Sequence, residues 1–524
     1  MRRYLTRVFR LTGRATGVQQ ATEKTVTSAP VNISVKAPPD GEPQVEPLLG
    51  WAGEGTPGAW AHPSQEPVFL KVTNLSNDEN LEGSLFWALR QPYPRVIVFE
   101  VSGVIDGQWK RFGSTHGRDR LGQFDINDPY VTIAGHTAPS PGITVIRAWF
   151  IAWTHNVVFQ HFAIRPGVHP NIIDTRTDDN PDGHGFANQF SAIGFRGDNP
   201  TTGIVDHMSC TWMNRYGIHA FTSGDFSGSK QKVTVSNTFI GPVVAMDQAA
   251  AGTASIVGIE GMVFFRNIWP FNYHRHPHFT GSKGAYINNY IRGPWIHCTY
   301  GSPDLALVGN YLRWGPYPST LEARGLFNHR NASNIKLYVS DNQAYRDNMT
   351  TISVVSVTGS GNDGSITYLD EPDGDMWHPS LDEVEIVSSD DLLESLKSTI
   401  GARPWDRDPI DTKILNDVET GEGNMMVVSY IRDWDPEESY ANRNHVNFNG
   451  TTYISNQSNT GAQPDTNPDI WVPQRPSDSE YNWSESLYPV RAENHREFKE
   501  EEWFHSNGRL LNVASQNYWH PNDL

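Results

Sequence analysis

Between residues 68 and 345, short apolar runs alternate with turn residues. "RVIVFEV" (95–101), "YVTIAG" (130–135), "GITVIR" (142–147), "NVVFQHFAIRPG" (156–167) and "TGIVDHMSCTW" (202–212) are typical: β-branched and aromatic residues punctuated by Gly, Pro and Asn. Such runs predict strands. From residue 232 they share a form. "KVTVSNTFIGP" (232–242), "MVFFRNIWP" (262–270), "GAYINNYIRGP" (284–294), "LALVGNYLRWGP" (305–316) and "IKLYVSDNQAY" (335–345) each place an Asn after a β run, then large residues. These asparagines are Asn237, Asn267, Asn289, Asn310 and Asn342, spaced by 30, 22, 21 and 32 residues. A short period with insertions is what stacked coils produce, since no coil buries its inner face alone. Asn at a repeated corner can bond to the next Asn and to turn backbone. The pattern predicts an all-β protein built on a right-handed parallel β-helix, with the asparagines holding turns.

The flanks differ. Residues 1–45 are polar and poorly patterned, and read as an arm or attachment segment. "SSDDLLESLKSTIG" (388–401) has the Ser/Asp start and Gly end of a helix. Residues 425–475 form a second unit, in which "VNFNGTTYIS" reads as a hairpin with an Asn-Gly turn. The tail, 476–524, is uninformative.

Composition adds limits. The 524 residues leave room for more than one domain, and 45 Gly with 35 Pro suit a turn-rich β architecture. A formal charge of −18, with no basic stretch after residue 15, argues against nucleic acid. Two cysteines, Cys210 and Cys298, build no disulfide framework and read as buried fillers. "MRRYLTRVFRLTGRATG" is basic but lacks the apolar run of a signal peptide, and nothing later resembles a membrane helix. The expectation is a soluble chain without membrane insertion.

"FNYHRHPHF" (271–279) concentrates candidate chemistry. In a regular strand His274, His276 and His278 would share one face, as a metal site needs. Pro277 interrupts pairing, so a bent strand end that exchanges protons in a sugar groove is the stronger expectation. His207, His219 and His161 are further candidates for that groove, although His161 suits a core position better.

Several stretches resemble polysaccharide lyase family one, the pectate-lyase-like enzymes. "VFLKVTNLSNDENLEGSLFWALRQPYPRVIVFEVSGVID" (68–106), "VTIAGHTAPSPGITV" (131–145), "GIVDHMSCTWMN" (203–214), "FFRNIWPFNYHRHPHF" (264–279) and "GARPWDRDPID" (401–411) occur in the family's order. The resemblance implies a β-helix over residues 46–415 and cleavage of uronic-acid polymers by β-elimination. In that reaction a base removes the proton beside the uronate carboxylate, and positive charge stabilises the enolate-like intermediate. Arg275 falls on the family's catalytic arginine and Pro277 on its proline, while His278 replaces the motif's second arginine. The family's calcium-binding carboxylates are replaced by Ser191 and by Arg215-Tyr216. Asp206 and His207, mainly structural in the family, remain, and the catalytic lysine has no counterpart. The resemblance therefore implies no calcium cofactor, with the Arg215 guanidinium supplying charge in the metal's place.

The expected function is an acidic-polysaccharide lyase with Arg275 as base and Arg215 as charge stabiliser, and with His274 and His278 as further catalytic candidates. His207 and His276 are expected to bind substrate. Residues 434–471 resemble chitin-binding-type carbohydrate modules, with Trp434, Tyr453 and Trp471 as sugar-stacking candidates. A non-catalytic glycan-binding adhesin is the alternative. A glycosidase would need a carboxylate pair, for which Asp174, Asp178, Asp179 and Asp182 are the visible cluster. A polar arm, a β-helix and a sugar-binding end also suit a phage tailspike. That reading implies an extracellular or virion-surface location, a homotrimer, and assembly through residues 1–45.

Overall fold

The computed structural model describes residues 49–53, 57–114, 116, 120–168, 190–196, 202–221, 232–245, 253–294, 299–301, 303–315, 324–329, 334–357, 365–424, 426–428, 433–440, 444–473, 482–483, 493–500 and 503. The arm at 1–45, the acidic cluster at 174–182, Cys298 and most of the tail lie outside the described residues.

Three parallel sheets of eleven, nine and nine strands run the length of the solenoid among the described residues. Each coil visits them in turn. Val131–Ala134 lies in the first sheet, Ile143–Ile146 in the second and Trp149–Ala152 in the third, and the next coil repeats with Val157–Gln160, Ala163–Arg165 and Ile193–Phe195. The architecture is the expected parallel β-helix. Its apolar core runs down the axis, from Leu70 and Phe99 through Phe159 and Phe264 to Leu337. Each apolar run in "NVVFQHFAIRPG" and its successors is two strands with a corner between them, not one strand.

That corner explains the asparagines. Its first residue has positive φ at His161, His207, Asn237, Arg266, Asn288, Gly309 and Asp341. The left-handed region is easiest for Gly, Asn and Asp. The second residue is Asn at 267, 289, 310 and 342, and these side chains form a ladder along the solenoid. Asn267 Nδ2 donates to Asn289 Oδ1 at 3.0 Å, Asn289 to Asn310 at 3.2 Å and Asn310 to Asn342 at 2.8 Å. Asn237 stands one position early. Thr238 occupies the ladder position instead, its amide donating to Asn267 Oδ1 at 3.0 Å. Five asparagines fit the sequence pattern, but four make the ladder.

The helix read near 388–401 is present as Leu392–Leu396. It and Pro409–Thr420 pack Leu392, Leu396, Ile414 and Val418 against Phe239, Ile268 and Tyr290 of the second sheet. Cys210 is buried as expected.

In the second unit, His445–Phe448 and Thr451–Ser455 form the predicted hairpin. Asn449 and Gly450 both have positive φ at its turn, and Trp471–Pro473 adds a third antiparallel strand. Its core is Tyr440, Val446 and Trp471. Trp471 is fully buried and its Nε1 donates to Ala462 O at 2.6 Å, so it cannot stack on a sugar as expected. Trp434 and Tyr453 are half-buried at the edge of this core.

Candidate active site

Along its outer face the third sheet aligns Gly194, His219, Ile256, His278, Tyr300 and Asn328 as successive register partners. Their neighbours Phe195, Ala220, Val257, Phe279 and Phe327 point into the core. Alternation along each strand separates these two sets. Gly194 is glycine for a spatial reason: a Cβ there would collide with the His219 ring.

The connections entering this sheet carry the charged groups. Arg215 and Tyr216 precede the strand Ile218–Phe221, Arg275 precedes His278–Phe279, and Ser191 precedes Ile193–Phe195. Backbone bonds lace these connections from coil to coil. Arg215 N donates to Phe190 O at 3.2 Å, Thr253 Oγ1 to Arg215 O at 2.7 Å, and Ser255 N to Arg275 O at 2.8 Å.

Arg215 and Arg275 converge. Arg275 Nη1 donates to Tyr216 Oη at 2.8 Å and its Nε to Tyr300 Oη at 3.2 Å. Arg215 Nη2 reaches the same Tyr216 oxygen at 3.4 Å, with its guanidinium 4.7 Å from the Tyr216 ring centre. Two guanidinium groups from separate coils thus meet on one face around one phenol. Burial alone would lower the pKa of Arg275, but the phenols of Tyr216 and Tyr300 outweigh it and hold the group above its ordinary value. At neutral pH Arg275 is a fixed cation. No carboxylate forms an ion pair with it among the described residues.

More positive charge surrounds His219. Arg196 Nε donates to its Nε2 at 3.3 Å. Burial, followed by the charges of Arg196, Arg215 and Arg120, pushes this histidine well below its ordinary value. It is therefore neutral, and the trough's charge is carried by arginines. In a chain of net charge −18 this cluster is a local exception, suited to an anionic ligand.

The histidines of "FNYHRHPHF" divide. His278 is half-exposed and stacks on Tyr300 with ring centres 4.2 Å apart and planes 12° apart, so it lines the trough. His274 and His276 are buried, at 6% and 0% exposure, so neither shares the half-exposed position of His278. The positive φ of Arg275 turns the chain between them, so strict alternation does not apply. Among the described residues the three form no metal-binding group.

His207 is also misplaced as a substrate contact. It occupies the corner between the first and second sheets, buried and stacked on His161, with ring centres 4.6 Å apart and planes 19° apart. His136 lies edge-on beyond His161, whose Nδ1 bonds to Ala402 O at 3.1 Å. Burial would raise the Asp206 carboxyl, but His207, His161 and the Ser236 hydroxyl hold it well below the usual carboxylate range. His161, Asp206 and His207 could hold a metal by proximity, their ligand atoms lying within 4.8 Å of one another. The near-parallel rings oppose this: lone pairs lie in the ring planes, so they run side by side instead of converging. Asp206 is already engaged by Ser236 at 2.8 Å and His207 at 2.9 Å.

This stack predicts acid sensitivity. Burial and then the charge of Arg403 push His136 down to about 3. The folded state keeps it neutral while the unfolded chain binds a proton below about pH 6.5. Its contribution is therefore present above pH 6.5 and lost as pH falls toward 3, at about 1.4 kcal/mol per unit. His161, also lowered, acts in the same direction. Denaturant unfolding is expected to show about 2 kcal/mol less stability at pH 4.5 than at 6.5 from His136 alone, with a shallower fall in His136→Gln.

The residues at the resemblance's calcium positions do not fit that ion. Ser191 is buried and neutral, Arg215 is cationic and Tyr216 already receives two guanidinium donors. Calcium needs several oxygen ligands, mostly carboxylates, and two adjacent guanidiniums repel it.

Comparison with known proteins supports a pectate-lyase-like parallel β-helix. The chain is 27% identical over 383 residues to a probable pectate lyase C of Aspergillus flavus, covering 71% of this chain and 78% of that protein. It is 26% identical over 377 residues to a probable pectate lyase C of Emericella nidulans, covering 71% and 76%. A solved pectate lyase structure is 15% identical and aligns over 72% of this chain and 100% of its own, with a TM-score of 0.45. No family model matches the chain.

Proposed function

We propose that this protein is a polysaccharide lyase that cleaves an acidic polymer by β-elimination, with Arg215 and Arg275 in place of a calcium ion. The observation that carries this reading is the meeting of both guanidiniums at the Tyr216 oxygen on the outer face of the third sheet. The fixed Arg215 cation can clamp a uronate carboxylate and lower the cost of charge developing on it as the neighbouring C–H bond breaks. Arg275 takes that proton in its neutral form, a form that becomes more populated as pH rises. Similarity to pectate lyases makes polygalacturonate the first polymer to test, and a polymeric substrate implies action outside the cell. Trp434 and Tyr453 give the second unit faces on which a sugar ring can stack.

The firmly cationic state of Arg275 favours one competing reading, a groove that binds acidic glycan without cleaving it. Incubation with polygalacturonate, alginate and glucuronan, followed by ultraviolet absorbance of the unsaturated product, separates the two. Product formation that persists in chelator is expected. Binding without product would select the competitor, and activity abolished by chelator would overturn the calcium-free assignment.

A further inference from the structure

Tyr216 has a chemical role that neither the resemblance nor the relatives assign. It stands where the resemblance places an acidic residue, at the centre of the cationic trough. Its ring is 4% exposed, and Ala192 N donates to its carbonyl at 2.9 Å, so it is firmly placed. Its oxygen receives Arg275 Nη1 at 2.8 Å and Arg215 Nη2 at 3.4 Å. A phenol oxygen that accepts twice retains one function, donation of its own hydrogen. Among the described residues nothing accepts that hydrogen. A negative charge left on the oxygen would lie between two guanidiniums.

We propose that Tyr216 is the general acid of the elimination and completes its proton cycle with Arg275. The inference rests on the lyase reading above. The C5–H bond breaks and its proton goes to neutral Arg275. The electron pair forms the C4–C5 double bond, and the C4–O4 bond breaks with its pair on O4. O4 takes the Tyr216 proton. The phenolate then recovers a proton from the Arg275 guanidinium along the 2.8 Å hydrogen bond that already joins them. Both residues return to their starting states, and no outside reactant is consumed.

A general acid matters only when the leaving group needs a proton. Tyr216→Phe is therefore compared with the parent on two substrates: polygalacturonate, whose leaving group is a sugar hydroxyl, and a 4-deoxy-4-fluoro uronide, whose fluoride leaves unprotonated. The variant is expected to lose about 10²-fold or more in kcat on the polymer and less than about threefold on the fluoride. Equal losses on both would mean that Tyr216 only positions Arg275, and no loss on the polymer would mean that it does nothing; either result overturns the proposal. A parent that forms no unsaturated product from either substrate overturns the lyase reading and this assignment with it. A parent that is active beside an equally active variant overturns this assignment alone. If the Phe variant fails to fold, 3-fluorotyrosine at position 216 retains the ring and oxygen while changing the acidity of the hydroxyl. It is expected to alter the polymer rate and spare the fluoride rate; rates unchanged on both substrates would again overturn the assignment.

Discussion

Arg275→Ala is expected to lower kcat/KM on a cleavable uronan by about 10²–10⁴-fold, the usual contribution of a positioned base. Fold should survive. The side chain is half-buried, its hydrogen bonds go to two phenols, and its backbone bond to Ser255 is unaffected. Arg275→Lys retains a charge but cannot span both Tyr216 and Tyr300, which accept from Nη1 and Nε of a planar fork, and should fall between parent and alanine. The parent's pH profile supplies a check. A base whose pKa is held above the ordinary arginine value is almost wholly protonated at neutrality, so kcat/KM should rise about tenfold per pH unit through the alkaline range. An alanine variant that cleaves as fast as the parent, with an unchanged melting temperature, would remove Arg275 from the mechanism.

Two of the three sheets are legible in the sequence because they meet at the asparagine corner. The runs around Asn267, Asn289, Asn310 and Asn342 mark both flanking strands and set the period. The third sheet is hidden. Strands such as Ile193–Phe195 and His278–Phe279 are two or three residues long, and their outward residues are Gly194 and His278, so neither length nor apolarity announces them. They exist because the flanking coils hold them in register, a tertiary effect that no local window contains. The functional face lies on this least legible sheet.

The site is therefore legible only in part. The resemblance points to Arg275 and Arg215, and the structure brings them together. His278 also lines the trough. His274 and His276 lie buried because the positive φ of Arg275 turns the chain between them, which no local pattern announces. His207 is buried because it stacks on His161, which itself meets Ala402 and Trp405 from a distant segment of the chain. Tyr300, Arg196 and Arg120 had no local signal. Tyr216 did have one: it occupies a position that the resemblance reserves for a metal-binding acid, and a phenol there is a chemical substitution worth explaining.

The same long-range logic gives the largest expected effect on stability, at Arg165. This side chain has 0% exposure, and its Nη2 lies 2.8 Å from both Asp408 Oδ2 and Asp411 Oδ1. Its Nε donates to Thr211 Oγ1 at 3.2 Å. Burial alone would lower its pKa, but the two carboxylates outweigh it and raise the value. Asp408 also caps the helix Pro409–Thr420, accepting from Asp411 N at 2.8 Å, and Ser209 donates to Asp411. Arg165 thus fastens the start of that helix to the second sheet. Arg165→Met leaves two buried carboxylates without their cation and is expected to cost about 3–5 kcal/mol in denaturant unfolding at pH 7. The penalty should shrink as pH falls, because protonation of the orphaned acids relieves it. Adding Asp408→Asn and Asp411→Asn to the methionine variant should restore much of the loss, since removal of all three charges abolishes the desolvation cost that a lone acid bears. A methionine variant within 1 kcal/mol of the parent, or a triple variant no better than the single, would show that helix packing through Ile414 and Val418, and not the ion triad, holds this segment in place.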